Sequence, residues 1–323
     1  MDKPFSSDGS WGWEQQGDIR RDGAGRTRRE FIRLASGAAV LGWSGSGARG
    51  ARAEEPKTDR SPTGQGTPTM KLGIVTYNIA NDWNLDTIIK NCKDVGLSGV
   101  ELRTTHAHGV EPSLNKTQRA DVRKKFQDSG IELVGLGSTC EYHSPDPAEL
   151  RKQIDLTKQF VELAADVGAG GVKVRPNALP GGVPIEKTLE QIGVSLRQCG
   201  EFAQPFGVEI RVEVHGRGTS HPPHIKRIMD VARHDNVFVC WNSNETDLDK
   251  QGSIDEHFHM LESKIRLVHI NELWSKYPWR RLFELLVRSR YKGYTLAEIA
   301  ASSDPVRLLR YYRALWQAFQ PAS

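Results

Sequence analysis

The sequence predicts an α/β chain folded as one (β/α)8 barrel behind an N-terminal export segment, and three observations carry the barrel. After Met70, short apolar segments alternate with longer stretches of helical period eight times. Several helical stretches stop at a glycine (Gly96, Gly130, Gly168 and Gly207), the residue that closes a helix as it feeds the next strand. Eight such units over about 250 residues match a closed barrel. No Gly-x-Gly-x-x-Gly run follows the first strand, which argues against an open doubly wound sheet.

The elements read in order as follows. KLGIVTY (71–77) is the first strand and 85–95 its helix; GVELR (99–103) is the second, followed by helix 119–128. IELVGLG (131–137) leads into helix 147–167, and GVKVR (171–175) into helix 185–204. VEIRVEVH (208–215) precedes helix 222–233, and VFVCWN (237–242) precedes helix 253–261. IRLVHI (265–270) with helix 278–288, and YTLAEI (294–299) with helix 304–319, complete the eight. Each strand is too short and too apolar for a helix, and each helical stretch repeats its apolar residues at a 3.6-residue period.

Composition narrows the function classes. With 323 residues, 26% charged and 37% hydrophobic, the chain fits one large domain plus a tail. The net charge of +4 is unevenly placed: residues 1–53 hold nine Lys/Arg against six Asp/Glu, leaving 35 against 34 for the rest. The body lacks the basic footprint of a nucleic-acid-binding protein. No apolar window approaches the length of a spanning helix, so no stable membrane insertion of the mature chain is expected.

Residues 1–53 read as an export signal. Arg28-Arg29 stand ahead of Phe31 and Ile32, a Gly- and Ala-rich apolar run covers 34–43, and Ala51-Arg52-Ala53 is a small-x-small cleavage site. The pattern resembles a twin-arginine signal peptide, which implies the twin-arginine export machinery as a partner and a periplasmic location. Residues 54–69 (EEPKTDRSPTGQGTPT) read as a flexible linker, and the barrel is assigned to 70–319. Cys92, Cys140, Cys199 and Cys240 form no Cys-x-x-Cys pair and are expected to be free, packed thiols, with Cys140 just after a strand.

In a barrel of this kind, chemistry sits at the C-terminal strand ends. Four strand-end residues stand out there: Glu213, Asn242, His269 and Glu298, separated by 29, 27 and 29 residues. That spacing is close to one strand–helix unit, so consecutive strands each offer one ligand at the same level. Two carboxylates, an amide oxygen and an imidazole make a mixed O/N set suited to one divalent ion: manganese, magnesium, cobalt or zinc. Lys173 and Arg175 alternate inward on the fourth strand, either to bind a carboxylate, phosphate or enediolate oxygen, or to pair with Glu101 or Glu213. Glu101 and Arg103 are expected to pair with each other. His106 and His108, two residues apart on a loop, are a weak signal for a second metal site; His215 stands beside Glu213, Glu272 follows the seventh strand, and Trp241, Trp274 and Trp279 lie near the mouth.

The patterns GVELR (99–103), RVEVHG (211–216), FVCWNSN (238–244), RLVHINE (266–272) and GYTLAEI (293–299) resemble the sugar phosphate isomerase/epimerase family. These are xylose isomerase-like TIM barrels, a group that includes D-tagatose 3-epimerase. The resemblance implies a Glu, Asp, His, Glu set binding one divalent metal, with Asn242 here in the place of the Asp. It also implies a small-molecule sugar substrate, for which Lys173, Arg175, His215 and Glu272, by their places near the mouth, are the candidate substrate-binding residues. Glu213 and Glu298 would exchange a proton through an enediolate. Two alternatives stay open: a metal-dependent lyase or hydrolase acting on oxidised sugars or glycosides, and a non-catalytic periplasmic carbohydrate-binding barrel. A nuclease is disfavoured, because no Asp-x-x-His pair follows the sixth strand.

Overall fold

The computed structural model describes residues 70–321. The expected signal peptide (1–53) and linker (54–69) lie outside the described residues. Eight strands and eight helices alternate: β1 (Lys71–Val75), α1 (Leu85–Val95), β2 (Gly99–Arg103), α2 (Lys116–Ser129), β3 (Glu132–Glu141) and α3 (Pro147–Val167) come first. They are followed by β4 (Gly171–Arg175), α4 (Ile185–Ala203), β5 (Glu209–Glu213), α5 (Pro222–Ala232) and β6 (Val237–Asn242). The chain ends with α6 (Asp255–Leu261), β7 (Ile265–Ile270), α7 (Trp279–Arg288), β8 (Tyr294–Ala297) and α8 (Pro305–Phe319). The strands are parallel in sequence order, and β8 closes the barrel on β1.

Local chemistry sets the helix ends. The Asn84 side chain caps α1 by accepting from Thr87 N–H, and Gly96 ends that helix at φ 81°. A reciprocal capping box between Asn115 and Gln118 starts α2 at Lys116, three residues before the helix expected from its apolar period. β3 runs on to Glu141, past the expected end at Gly137, so Cys140 lies inside the strand. Its small polar residues disguise it: Ser138 is buried and donates to the Lys173 carbonyl on β4. All four cysteines are free and buried. No described helix is long and apolar enough to cross a membrane.

Two-residue periodicity divides the strands between two layers. Outward positions such as Ile210, Val212, Val239, Trp241 and Val268 join the main core against the helices. Inward, a small cluster of Val75, Val134, Cys240, Leu267, Tyr294 and Leu296 plugs the barrel. One step further along β2, β4, β5, β6 and β7 the inward positions turn polar, with Glu101, Lys173, Glu213, Asn242 and His269 all buried. An apolar plug under a polar layer confines the barrel's chemistry to its C-terminal mouth.

Candidate metal centre

Register sets the site. Asn242, the last residue of β6, pairs in register with His269 on β7, and Glu213 ends β5 opposite Cys240. Glu298 stands one residue past β8, held by its N–H on the Ile270 carbonyl at 2.9 Å. Glu213, His269 and Glu298 each offer a donor atom within 4.8 Å of the others. His269 Nδ1 lies 3.5 Å from Glu213 Oε1 and 3.4 Å from Glu298 Oε2. The ring is fully buried, and neither nitrogen has a hydrogen-bond partner among the described residues. A buried imidazole without a partner costs free energy unless something else satisfies it. The donor set and these orphaned nitrogens fit a divalent cation. Asn242 reaches the same cluster, its Nδ2 donating to Glu213 Oε1 at 3.2 Å.

Charge is balanced by direct contacts. Lys173 Nζ donates to Glu213 Oε2 at 2.7 Å with both side chains buried. Of the two partners open to Lys173, the structure therefore selects Glu213. Burial alone would push the Glu213 carboxyl up, but Lys173, His215 and His269 hold it well below the usual carboxylate range. Burial likewise opposes charge on Lys173, and Glu213, Glu101 and Glu298 outweigh it, so the ammonium sits above its ordinary value. For His269, burial lowers the affinity for a proton, while Cys240, Glu101 and Glu298 raise it well above the imidazole norm. Burial pushes the Cys240 thiol up to about 11, so at neutral pH the carboxylates carry that effect. Removing Lys173 alone would strand a buried carboxylate, a loss of about 3–5 kcal/mol.

Arg175 and His215, two of the other expected substrate residues, belong to a second network on the β3–β5 side. Arg175 donates to Glu141, as does Asn177 Nδ2 at 2.6 Å. Asn177 Oδ1 meets His215 Nδ1 at 3.0 Å. Burial, Lys173 and Arg175 lower the His215 pKa against the pull of Glu213, which favours the neutral ring. Arg175 thus pairs with neither Glu101 nor Glu213, and its buried Nε has no partner among the described residues. Glu272 sits at the β7–β8 rim, accepting from Trp274 Nε1 at 2.9 Å and from Ala300 N–H at 3.4 Å. It presents Trp274, 72% exposed, whereas Trp241 and Trp279 are buried.

Two expectations are corrected. Arg103 makes no ion pair with Glu101; its guanidinium donates to the Thr104 carbonyl and to Thr105 Oγ, and lies 5.2 Å over the Tyr77 ring. The pair His106 and His108 is no second metal site, because both His108 nitrogens are engaged by backbone: Nε2 with the Arg103 carbonyl at 2.7 Å, Nδ1 with Val110 N–H at 3.0 Å. One contact was not anticipated. Glu101, fully buried, places Oε1 3.4 Å from His269 Nε2, and both its oxygens lack hydrogen-bond partners among the described residues. Its inward position on β2, two residues before Arg103, was the available signal.

Residues 89–316 match the family model for the xylose isomerase-like TIM barrel. The chain belongs to that family. Among solved structures, it is similar to 3-keto-D-glucoside 4-epimerase, YcjR, from E. coli, with 16% identity, a TM-score of 0.65, and coverage of 77% of this chain and 99% of that one. D-psicose 3-epimerase from Clostridium cellulolyticum H10, solved with D-tagatose, aligns with 16% identity, a TM-score of 0.63 and coverage of 77% and 96%. The IolI protein with a bound zinc atom aligns with 16% identity, a TM-score of 0.62 and coverage of 77% and 96%. No curated protein matches the chain in sequence.

Proposed function

We propose that this chain is a divalent-metal-dependent sugar isomerase or epimerase that moves a proton at the carbon beside a carbonyl. One observation carries the reading: donor atoms of Glu213, His269 and Glu298 converge within 4.8 Å, and the buried His269 ring has no hydrogen-bond partner among the described residues. Glu213, Asn242, His269 and Glu298 are the residues that would hold the ion, whether manganese, magnesium, cobalt or zinc. When bound, such an ion supplies Lewis acidity, lowering the pKa of the carbon acid next to a polarised carbonyl. Epimerases among the structural neighbours, and the zinc atom in the neighbouring IolI structure, support the class of reaction and of cofactor.

The chain's own residues supply the proton steps. Lys173 keeps Glu213 ionised at neutral pH, ready to accept a proton. Glu298, one-fifth exposed and 3.4 Å from the same His269 Nδ1 that Glu213 approaches, is assigned to return the proton on the opposite face of the substrate carbon. Neutral His215, its Nδ1 side fixed by Asn177, is assigned to a substrate hydroxyl, and the unpartnered Arg175 Nε to a substrate oxygen. Glu272 acts at the rim through Trp274, a face on which a sugar ring can stack.

A second reading draws on Arg103, a half-buried guanidinium at the mouth with no carboxylate partner within ion-pair distance among the described residues. It favours a substrate carrying an anionic group, as a lyase on oxidised sugars would use. We further read residues 1–53 as a twin-arginine signal that takes the protein to the periplasm, on the strength of Arg28-Arg29 and Ala51-Arg52-Ala53. Incubating the metal-loaded protein with keto-sugars in deuterium oxide tests the reaction. Carbon-bound deuterium in recovered sugar is expected. Release of an aglycone would replace the isomerase with the lyase, and binding without either would reduce the chain to a carbohydrate-binding barrel.

A further inference from the structure

Glu101 is a buried carboxyl group that the proposed reaction does not use. Its side chain is fully buried, and neither carboxylate oxygen has a hydrogen-bond partner among the described residues. Such a group is retained where its charge is used. The neighbouring strand is shaped around it. A Cβ on Gly137 would stand 2.9 Å from Glu101 Oε1, and one on Gly135 would stand 3.7 Å from Oε2. Any side chain at Gly137 would crowd the carboxylate, so β3 keeps its pocket open.

What that pocket aims at is His269. Carboxylates stand on both sides of the ring: Glu213 and Glu298 at 3.5 and 3.4 Å from Nδ1, Glu101 at 3.4 Å from Nε2. A neutral imidazole carries one proton and one lone pair, and only the lone pair binds a cation. If the proton sat on Nδ1, facing Glu213 and Glu298, the ring would withhold its ligand atom from the group it belongs to. We propose that Glu101 is the positioning residue that holds the His269 proton on Nε2 and so turns the Nδ1 lone pair toward Glu213 and Glu298. The inference rests on the metal-centre reading above. Ligating histidines commonly give their second N–H to a carboxylate, and losing that partner typically lowers metal affinity about 10–100-fold.

The test uses zinc titrations followed by calorimetry on the wild-type chain, Glu101→Gln, Glu101→Leu and His269→Ala, each checked for a cooperative melt. Nitrogen-15 spectra of the zinc-loaded forms report the histidine tautomer. Wild-type protein is expected to bind zinc through His269 Nδ1 with Nε2 protonated. Glu101→Leu keeps the volume but removes the acceptor, and should weaken zinc binding about 10–100-fold. Glu101→Gln keeps an acceptor and should recover most of that loss, which a packing role alone would not require. Equal zinc affinity in the Leu variant and the wild type, or zinc on Nε2, would overturn the role of Glu101 while leaving the metal centre standing. Wild-type protein that binds zinc no better than His269→Ala would overturn both.

Discussion

Replacing Asn242 by Asp puts a carboxylate where an amide now donates to Glu213 Oε1 at 3.2 Å. Without metal, two full charges at that separation repel by about 5 kcal/mol at an effective dielectric of ~20. Uptake of a proton is the cheaper escape. Holding an Asp of ordinary pKa protonated at pH 7 costs about 4 kcal/mol. The chelated variant should therefore be less stable by about 4 kcal/mol at pH 7, which for a domain of this size lowers Tm by roughly 8–16 °C. The sign of the pH dependence follows. The raised carboxyl stays protonated in the folded chain after the unfolded chain has released its proton. The penalty is thus absent near pH 4 and grows as pH rises. A divalent ion reverses the balance, because the ligand set gains a negative charge. Metal affinity should tighten more than tenfold, at least ~1.4 kcal/mol. Thermal melts in chelator from pH 4 to 8 and calorimetric metal titrations measure both effects. An unchanged Tm at pH 7 would refute the contact with Glu213. An unchanged metal affinity in both Asn242→Asp and Asn242→Ala would remove Asn242 from the ligand set.

Glu213→Gln and Glu298→Gln should each cut proton exchange by about 10²–10⁴, and together little more than either alone, since the two act as one unit. Near-normal exchange in one of them would dismiss that residue. Asp247, buried with Oδ2 accepting from the Tyr277 hydroxyl and Asn244 N–H, has its carboxyl pushed well above the usual range by burial. The folded chain keeps this proton after the unfolded chain loses it, so stability falls as pH rises from the ordinary carboxyl range toward the raised folded pKa, by at most about 1.4 kcal/mol per pH unit from this group. Asp247→Asn should flatten that slope, and parallel pH–stability curves for the two proteins would contradict it. In cells, replacing Arg28 and Arg29 by lysine should leave uncleaved precursor in the cytoplasm, while the wild-type mature chain begins near Glu54. Normal export of the variant would end the signal-peptide reading.

The barrel was legible because alternation and helix stops are local signals. β2, β4, β6 and β7 begin and end where the apolar runs do. β3 was cut short because Ser138 and Thr139 look like loop residues, yet Ser138 commits its hydroxyl to the β4 backbone. The convergence of Glu213, Asn242, His269 and Glu298 was legible from a spacing of one strand–helix unit, which works for consecutive strands. Glu101 escaped that logic. It sits on β2, across the barrel from β7, and the staggered register of a closed sheet, invisible in the sequence, brings it to the level of His269. Arg103 two residues on was the obvious partner for Glu101, but it bonds to Thr104 and Thr105 instead. The two partners open to Lys173 differed only in three-dimensional reach, and burial beside Glu213 decided between them.

Metal analysis of the purified mature protein, paired with the His269→Ala variant, tests the metal centre most directly. One divalent ion per chain in the wild type and none in the variant is expected. A wild-type chain that carries no divalent ion after saturation with manganese, magnesium, cobalt and zinc in turn, or a variant that binds as well as the wild type, would contradict it.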